Sequence, residues 1–183
     1  MKIKNIIALS AVLSVAFFNS AMASDGTISF TGKVVAQTCK VTTGTNGNFT
    51  VTLPTVSQTA LASANATTGL TPFSINLTGC TAGGSGVPGN VKAFFEPGAN
   101  TDFNTNKLKN ATAGGAQNVQ IELLNSDGAA TILLGKDASA QDVHAETITN
   151  GNATLRYMAR YFATNAATPG EVTSSVNYTI AYE

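Results

Sequence analysis

Period-two alternation of apolar and polar side chains recurs along this chain and restricts its architecture more than any other feature. Near the C-terminus, Val172, Ser174, Val176, Tyr178, Ile180 and Tyr182 share one face, while Thr173, Ser175, Asn177, Thr179 and Ala181 share the other. Successive side chains of a strand point to opposite sides, so this pattern reads as a half-buried strand running to the last residues. Shorter alternating runs precede it. Phe49–Leu53 stops at Pro54, Phe73–Leu77 at Thr78-Gly79-Cys80, and Val91–Phe95 before Pro97-Gly98. Val119, Ile121 and Leu123 share a face ahead of the turn residues Asn125-Ser126-Asp127-Gly128. Leu155, Met158 and Phe162 fall at helical spacing, but Leu155, Tyr157, Ala159 and Tyr161 also fit a strand, and the aromatic content favours the strand. Ser57 to Thr68 reads as a loop with one helical turn. Many short strands and no strong helix predict an all-β chain built as an immunoglobulin-like sandwich.

Composition narrows the function. The chain has 183 residues, enough for one domain of ordinary size, and 11% of them are charged, against about 25% in an average soluble domain. Ten basic residues balance ten acidic ones. A phosphate-binding surface needs a clustered basic excess, so nucleic acid is not an expected partner. With one His, a Ser–His–Asp triad would have to use His144, and no G-x-S-x-G elbow accompanies it. Gly84-Ser85-Gly86-Val87-Pro88-Gly89 matches the dinucleotide fingerprint in letters only. A short strand-like run follows it where a helix should receive the pyrophosphate, so it reads as a flexible loop. Asp142, His144 and Glu146 would share a face on a strand, but the pattern reads as a solvated polar face rather than a metal site. No enzyme activity, cofactor or metal is expected.

The first residues read as an address. Met1-Lys2-Ile3-Lys4 is basic, Ile6–Phe18 is apolar, and Ala21-Met22-Ala23 is a small-x-small cleavage pattern. An apolar run of about 13 residues is short for a bilayer span, which takes roughly 20, so residues 1–23 read as a secretory signal peptide. No later segment is suited to membrane insertion. Removing Lys2 and Lys4 leaves residues 24–183 with eight basic and ten acidic groups, a formal charge of −2. Export places Cys39 and Cys80 in an oxidising compartment. A bridge between them would close a loop of about 42 residues, the alternative being two buried free thiols.

The mature N-terminus stands apart. Gly26, Ile28, Phe30, Gly32, Val34 and Ala36 fall on one face of a long alternating run, with a glycine in mid-strand. An apolar strand at a free terminus is either tucked into its own sheet or offered to another chain. Alternation alone does not choose between the two.

A resemblance chooses. The signal peptide, the Gly32-Lys33-Val34-Val35-Ala36-Gln37-Thr38-Cys39 run, the second cysteine in Leu77-Thr78-Gly79-Cys80, and an alternating last strand with penultimate Tyr182 resemble major subunits of chaperone–usher fimbriae of the type 1 family. Arg160–Thr164 followed by Ala167-Thr168-Pro169-Gly170 is similar to shaft pilins. Val51–Val56, Gly69–Phe73 and Phe95-Glu96-Pro97 resemble F-seventeen-type (G-type) fimbriae of enteric bacteria.

The resemblance implies an incomplete immunoglobulin-like sandwich, completed by a donor strand from a neighbouring subunit. Residues 24–37 would be the donor-strand extension, with Ile28, Phe30, Gly32, Val34 and Ala36 as its inserting face, and residues 38–183 the pilin domain. Gly32 matches the family's donor glycine. Val172 to Tyr182 would form one wall of the acceptor groove, and Tyr182 with Glu183 the chaperone-facing end. The implied partners are further copies of the chain in a head-to-tail polymer, a periplasmic chaperone, an outer-membrane usher, and tip or minor subunits. The implied location is a surface fimbrium reached through the periplasm. A single-domain adhesive or minor pilin that binds a host-surface glycan is the alternative.

Overall fold

The computed structural model describes residues 26–32, 34, 39–81 and 89–183. The expected signal peptide, Ala36, and the glycine-rich loop up to Pro88 lie outside the described residues. The chain divides into two units, Met1–Val34 and Val35–Glu183.

Nine strands and one short 3-10 helix make up the second unit's described residues: β1 Lys40–Val41, β2 Thr67–Thr78, β3 Asn90–Phe95, β4 Thr101–Asp102, β5 Lys107–Lys109, β6 Val119–Asn125, β7 Glu146–Thr147, β8 Ala153–Ala163 and β9 Tyr178–Tyr182. They form a six-stranded sheet in the order β1-β2-β8-β6-β5-β4 and a three-stranded sheet in the order β7-β3-β9. All pairings are antiparallel. The predicted helical turn is the 3-10 helix Gln58–Leu61, whose first turn is capped by the Ser57 hydroxyl accepting from the Thr59 amide.

The core lies between the two sheets. Ile75 and Leu77 of β2, Leu155 and Tyr157 of β8, and Leu123 of β6 meet Val91, Ala93 and Phe95 of β3. Tyr157 ties the layers together: its ring packs edge-on against Phe95 at 5.3 Å between centroids, and its hydroxyl accepts the Ala93 amide at 3.0 Å. β8 is a strand throughout. A helix over 155–162 could not exploit the ladder that β2 and β6 offer on its two sides. β2 begins at Thr67, two residues inside the stretch expected to be loop. Gly69, at φ +73°, lies where the register with β8 shifts, between Thr68 and Thr71, so a bulge lets the strand start early.

β6 departs from the simple pattern. Its inward Ile121 and Leu123 are core, but the opposite face is buried too, with Gln120, Glu122 and Leu124 nearly inaccessible. The chain after β6 turns back along its edge: Leu124 forms a bridge with Thr131, and the Ile132 amide donates to the Leu123 carbonyl. Glu122 is satisfied there by Arg160 at 2.6 Å, Lys107 at 3.3 Å and the Thr131 hydroxyl at 3.1 Å. The Lys107 ammonium also sits 4.2 Å from the Phe162 ring centre.

Two runs predicted as strands keep their alternation but have no strand partner. Phe49, Val51 and Leu53 are half-buried between exposed Thr50 and Thr52, and Val172, Ser174 and Val176 are half-buried between exposed Thr173 and Ser175. Within the predicted C-terminal strand only Tyr178–Tyr182 pairs along a ladder, against β3.

Candidate functional site

The two unpaired runs are the walls of a groove. Between them open two cavities of about 460 and 510 Å³. The first is walled by Phe49, Val51 and Leu53 on one side and Ser174, Val176 and Tyr178 on the other. The second continues from Thr55 and Val56 to Gly170 and Val172. The floor of the first is the core itself: Phe73, Ile75, Phe95, Leu108, Ile121 and Leu123 line it. Most apolar cores are closed over by strands, but here the middle of the core faces an opening.

Backbone hydrogen bonding shows what the opening lacks. No hydrogen bond joins the backbone groups of residues 49–56 to any other described residue. The far wall is paired on one edge only. The Glu171, Thr173 and Asn177 carbonyls accept from the amides of Ala116, Ala111 and Glu96. The Thr173 amide donates to Asn110 Oδ1, and the Ser175 carbonyl accepts from Asn100 Nδ2. The intervening Val172, Ser174 and Val176 have no backbone partner. Peptide groups of an extended chain point alternately to its two sides, so these three direct their N–H and C=O groups into the groove. Two parallel rows of free peptide groups stand about eight residues, or roughly 26 Å, long over an apolar floor. That geometry fits one extended segment with apolar alternate side chains.

The groove's end is braced by two tyrosines of β9. The Tyr178 hydroxyl donates to the Gly47 carbonyl at 2.8 Å, and burial raises its pKa above the ordinary value. The Tyr182 hydroxyl accepts the Cys39 amide at 2.8 Å. Cys39 is disulfide-bonded to Cys80. Glu183 pairs with Asn90 through both backbone groups, at 2.9 and 3.1 Å, and its side chain meets Lys92. The end that the resemblance implies to be chaperone-facing is anchored to β3.

Of the inserting face that the resemblance implies, Ile28, Phe30, Gly32 and Val34 are described, and none lies in a strand. Ile28, Phe30 and Val34 are 79, 89 and 100% exposed. Asp142, His144 and Glu146 do not share a strand face. Asp142 sits at φ +58°, and β7 begins only at Glu146. Among the described residues no group of three His, Cys, Asp or Glu is placed to hold a metal ion. The sequence reading missed Ser174 as more than a member of an alternating face. Its hydroxyl is buried among the groove's apolar side chains and makes no hydrogen bond. A lone polar residue on the apolar face of the last alternating run was the available signal.

Known proteins share this architecture. The P pilus rod subunit PapA superposes with a TM-score of 0.59 at 18% identity, covering 79% of this chain and 99% of that one. A subunit of a chaperone–usher pilus superposes at 0.62 with 19% identity, covering 87 and 96%. At such identities the likeness speaks for the fold, an incomplete immunoglobulin-like sandwich. The sequence relatives are nearer. The F17 fimbrial protein of Escherichia coli is 53% identical over 94% of this chain and 95% of its own length. The major fimbrial subunit SMF-1 of Stenotrophomonas maltophilia is 48% identical over 89 and 95%. The family described as type-1 fimbrial protein, A, matches residues 53–183, which hold β2–β9 and the whole lining of the second cavity. A groove with free edges on a two-sheet sandwich, in a chain matched over most of its length, places this protein in the type-1 fimbrial protein family.

Proposed function

We propose that this chain is a structural subunit that polymerises by donor-strand exchange into the shaft of an adhesive surface fimbria. The observation that carries the reading is the groove: an apolar core left open between two rows of unpaired peptide groups. Residues 24–37 of a neighbouring copy suit it. Ile28, Phe30, Gly32, Val34 and Ala36 span about 30 Å when extended, close to the length of the groove, and alternate apolar with polar as an inserted strand must. Backbone pairing on both edges supplies affinity, and the cavities supply side-chain selection. Such a contact is head-to-tail and does not close, so it grows a fibre.

The same logic assigns the remaining partners. An open core is an aggregation hazard, so a periplasmic chaperone holds the groove until assembly, with Tyr182 and Glu183 at its docking end. An outer-membrane usher passes subunits outward, and tip or minor subunits join the fibre. The role calls for no catalysis or cofactor.

The test is thermal unfolding of a chain lacking residues 24–37, its Cys39–Cys80 bond intact, with and without a synthetic peptide of residues 24–37. A large, slowly developing rise in melting temperature with peptide is expected. A truncated chain that is already stable and ignores the peptide would mean a complete sandwich and would overturn the reading.

A further inference from the structure

We infer that Ser174 sets the register of the incoming strand, by admitting it only in the alignment that places Gly32 of the neighbouring copy against the Ser174 hydroxyl. This rests on the donor-strand reading above and adds the residue that fixes the alignment.

Strand addition has a register problem. Backbone pairing is the same at every two-residue step, and a slip by two keeps every apolar side chain facing the core. Side chains must break the tie. The residues whose free peptide groups face the groove are Val172, Ser174 and Val176, with Ser174 in the middle. The donor face is Ile28, Phe30, Gly32, Val34 and Ala36, with Gly32 in the middle. A centred strand therefore brings Gly32 to Ser174 whichever way it runs.

The chemistry at that point is uneven. Ser174 Oγ is one of three buried side-chain polar atoms among the described residues that lack a hydrogen-bond partner. A buried hydroxyl costs free energy until it is paired. Gly32 is the donor-face residue without a Cβ. Its peptide can be reached by the hydroxyl, directly or through one water in the space a side chain would fill. A slip of two residues sets Phe30 or Val34 against Ser174 instead, and each covers the hydroxyl with hydrocarbon. The correct register is favoured because the alternatives leave Ser174 unpaired.

The test uses the chain lacking residues 24–37, so that no copy's own arm competes, and two fluorescent peptides in direct competition for its groove. One is residues 24–37. The other carries Phe30→Gly with Gly32→Phe, which moves the glycine by two positions at equal composition. The unmodified chain should prefer the first peptide by about tenfold or more, the scale of an unpaired buried hydroxyl. Ser174→Ala should reduce that preference to about threefold or less, whereas Ser174→Thr, which keeps the hydroxyl, should retain it. A residue that only filled space would not separate Ala from Thr in this ratio. If Ser174→Ala keeps the full preference, the register role is wrong while uptake of the first peptide leaves donor exchange standing. If the unmodified chain takes up neither peptide, both readings fail together.

Discussion

Glu122 shows how a single residue can hide from sequence reasoning. It sits at a period-two position opposite Ile121 and Leu123, where a carboxylate reads as solvent-facing. Yet its side chain is 4% exposed and holds Arg160 and Lys107 together. Nothing in the alternation of β6 announces this cluster, because its partners come from elsewhere: Lys107 from β5, Arg160 from β8 and Thr131 from the segment after β6. Removing the carboxylate strands two cations in a poorly solvated place, so Glu122→Ala should destabilise the domain by about 3–5 kcal/mol in denaturant unfolding. A loss under about 1 kcal/mol would mean that water reaches the cluster freely. Tyr157 allows a pH prediction. Burial raises its pKa from 10.0 to about 12. The folded state therefore holds this proton more tightly than the unfolded state. The resulting stability is intact below pH 10 and falls as pH rises from there towards about 12. Tyr157→Phe should be less stable at neutral pH by about 1–3 kcal/mol, since the buried Ala93 amide loses its acceptor. It should also lose less stability than the parent over that alkaline window, as measured by unfolding at fixed pH.

At the scale of elements, the sequence disclosed faces but not partners. The alternation of Phe49–Leu53 and of Val172–Tyr182 identifies which side chains look inward, and the structure agrees for both. What period two cannot report is whether the peptide groups along an edge are paired, because that depends on a neighbour anywhere in the chain or in another one. The open groove was legible only through the resemblance, and Ser174 was legible only as a lone polar residue on an otherwise apolar face. Two predictions belong here. Gly32→Val adds a branched side chain at the middle of the proposed donor face. It should abolish fibre formation, seen by electron microscopy, while the monomer keeps its far-ultraviolet spectrum and melting temperature. The Cys39–Cys80 bond joins the residue before β1 to the chain just beyond β2, across a sequence separation of 41. Chain-entropy arithmetic for that loop makes Cys39→Ser with Cys80→Ser less stable by roughly 4 kcal/mol. A double variant within about 1 kcal/mol of the parent would mean that the Tyr182–Cys39 contact and the β1–β2 ladder already order this region.

For the whole molecule, the proposed contact joins the arm of one copy to the groove of another, so each addition regenerates the site it consumes. Nothing in such a contact limits length except the supply of subunits and the arrival of something that fills a groove without bringing a groove of its own. A free peptide of residues 24–37 is such a terminator. Added during assembly of the mature chain, it should shorten fibres in proportion to the ratio of peptide to chain, as measured by length distributions in electron micrographs. The Gly32→Val peptide should leave lengths unchanged. The chemistry of the interface also sets its response to salt. Residues 24–183 are nearly neutral, and the groove floor is hydrocarbon, so little charge is brought together when a strand inserts. Growth rates should therefore change by less than about threefold between about 0.02 M and 0.5 M sodium chloride, a range over which exposed ion pairs are largely screened. A steep fall with salt would mean that surface charges hold neighbouring subunits together. Strand insertion would then be secondary to contacts elsewhere on the domain.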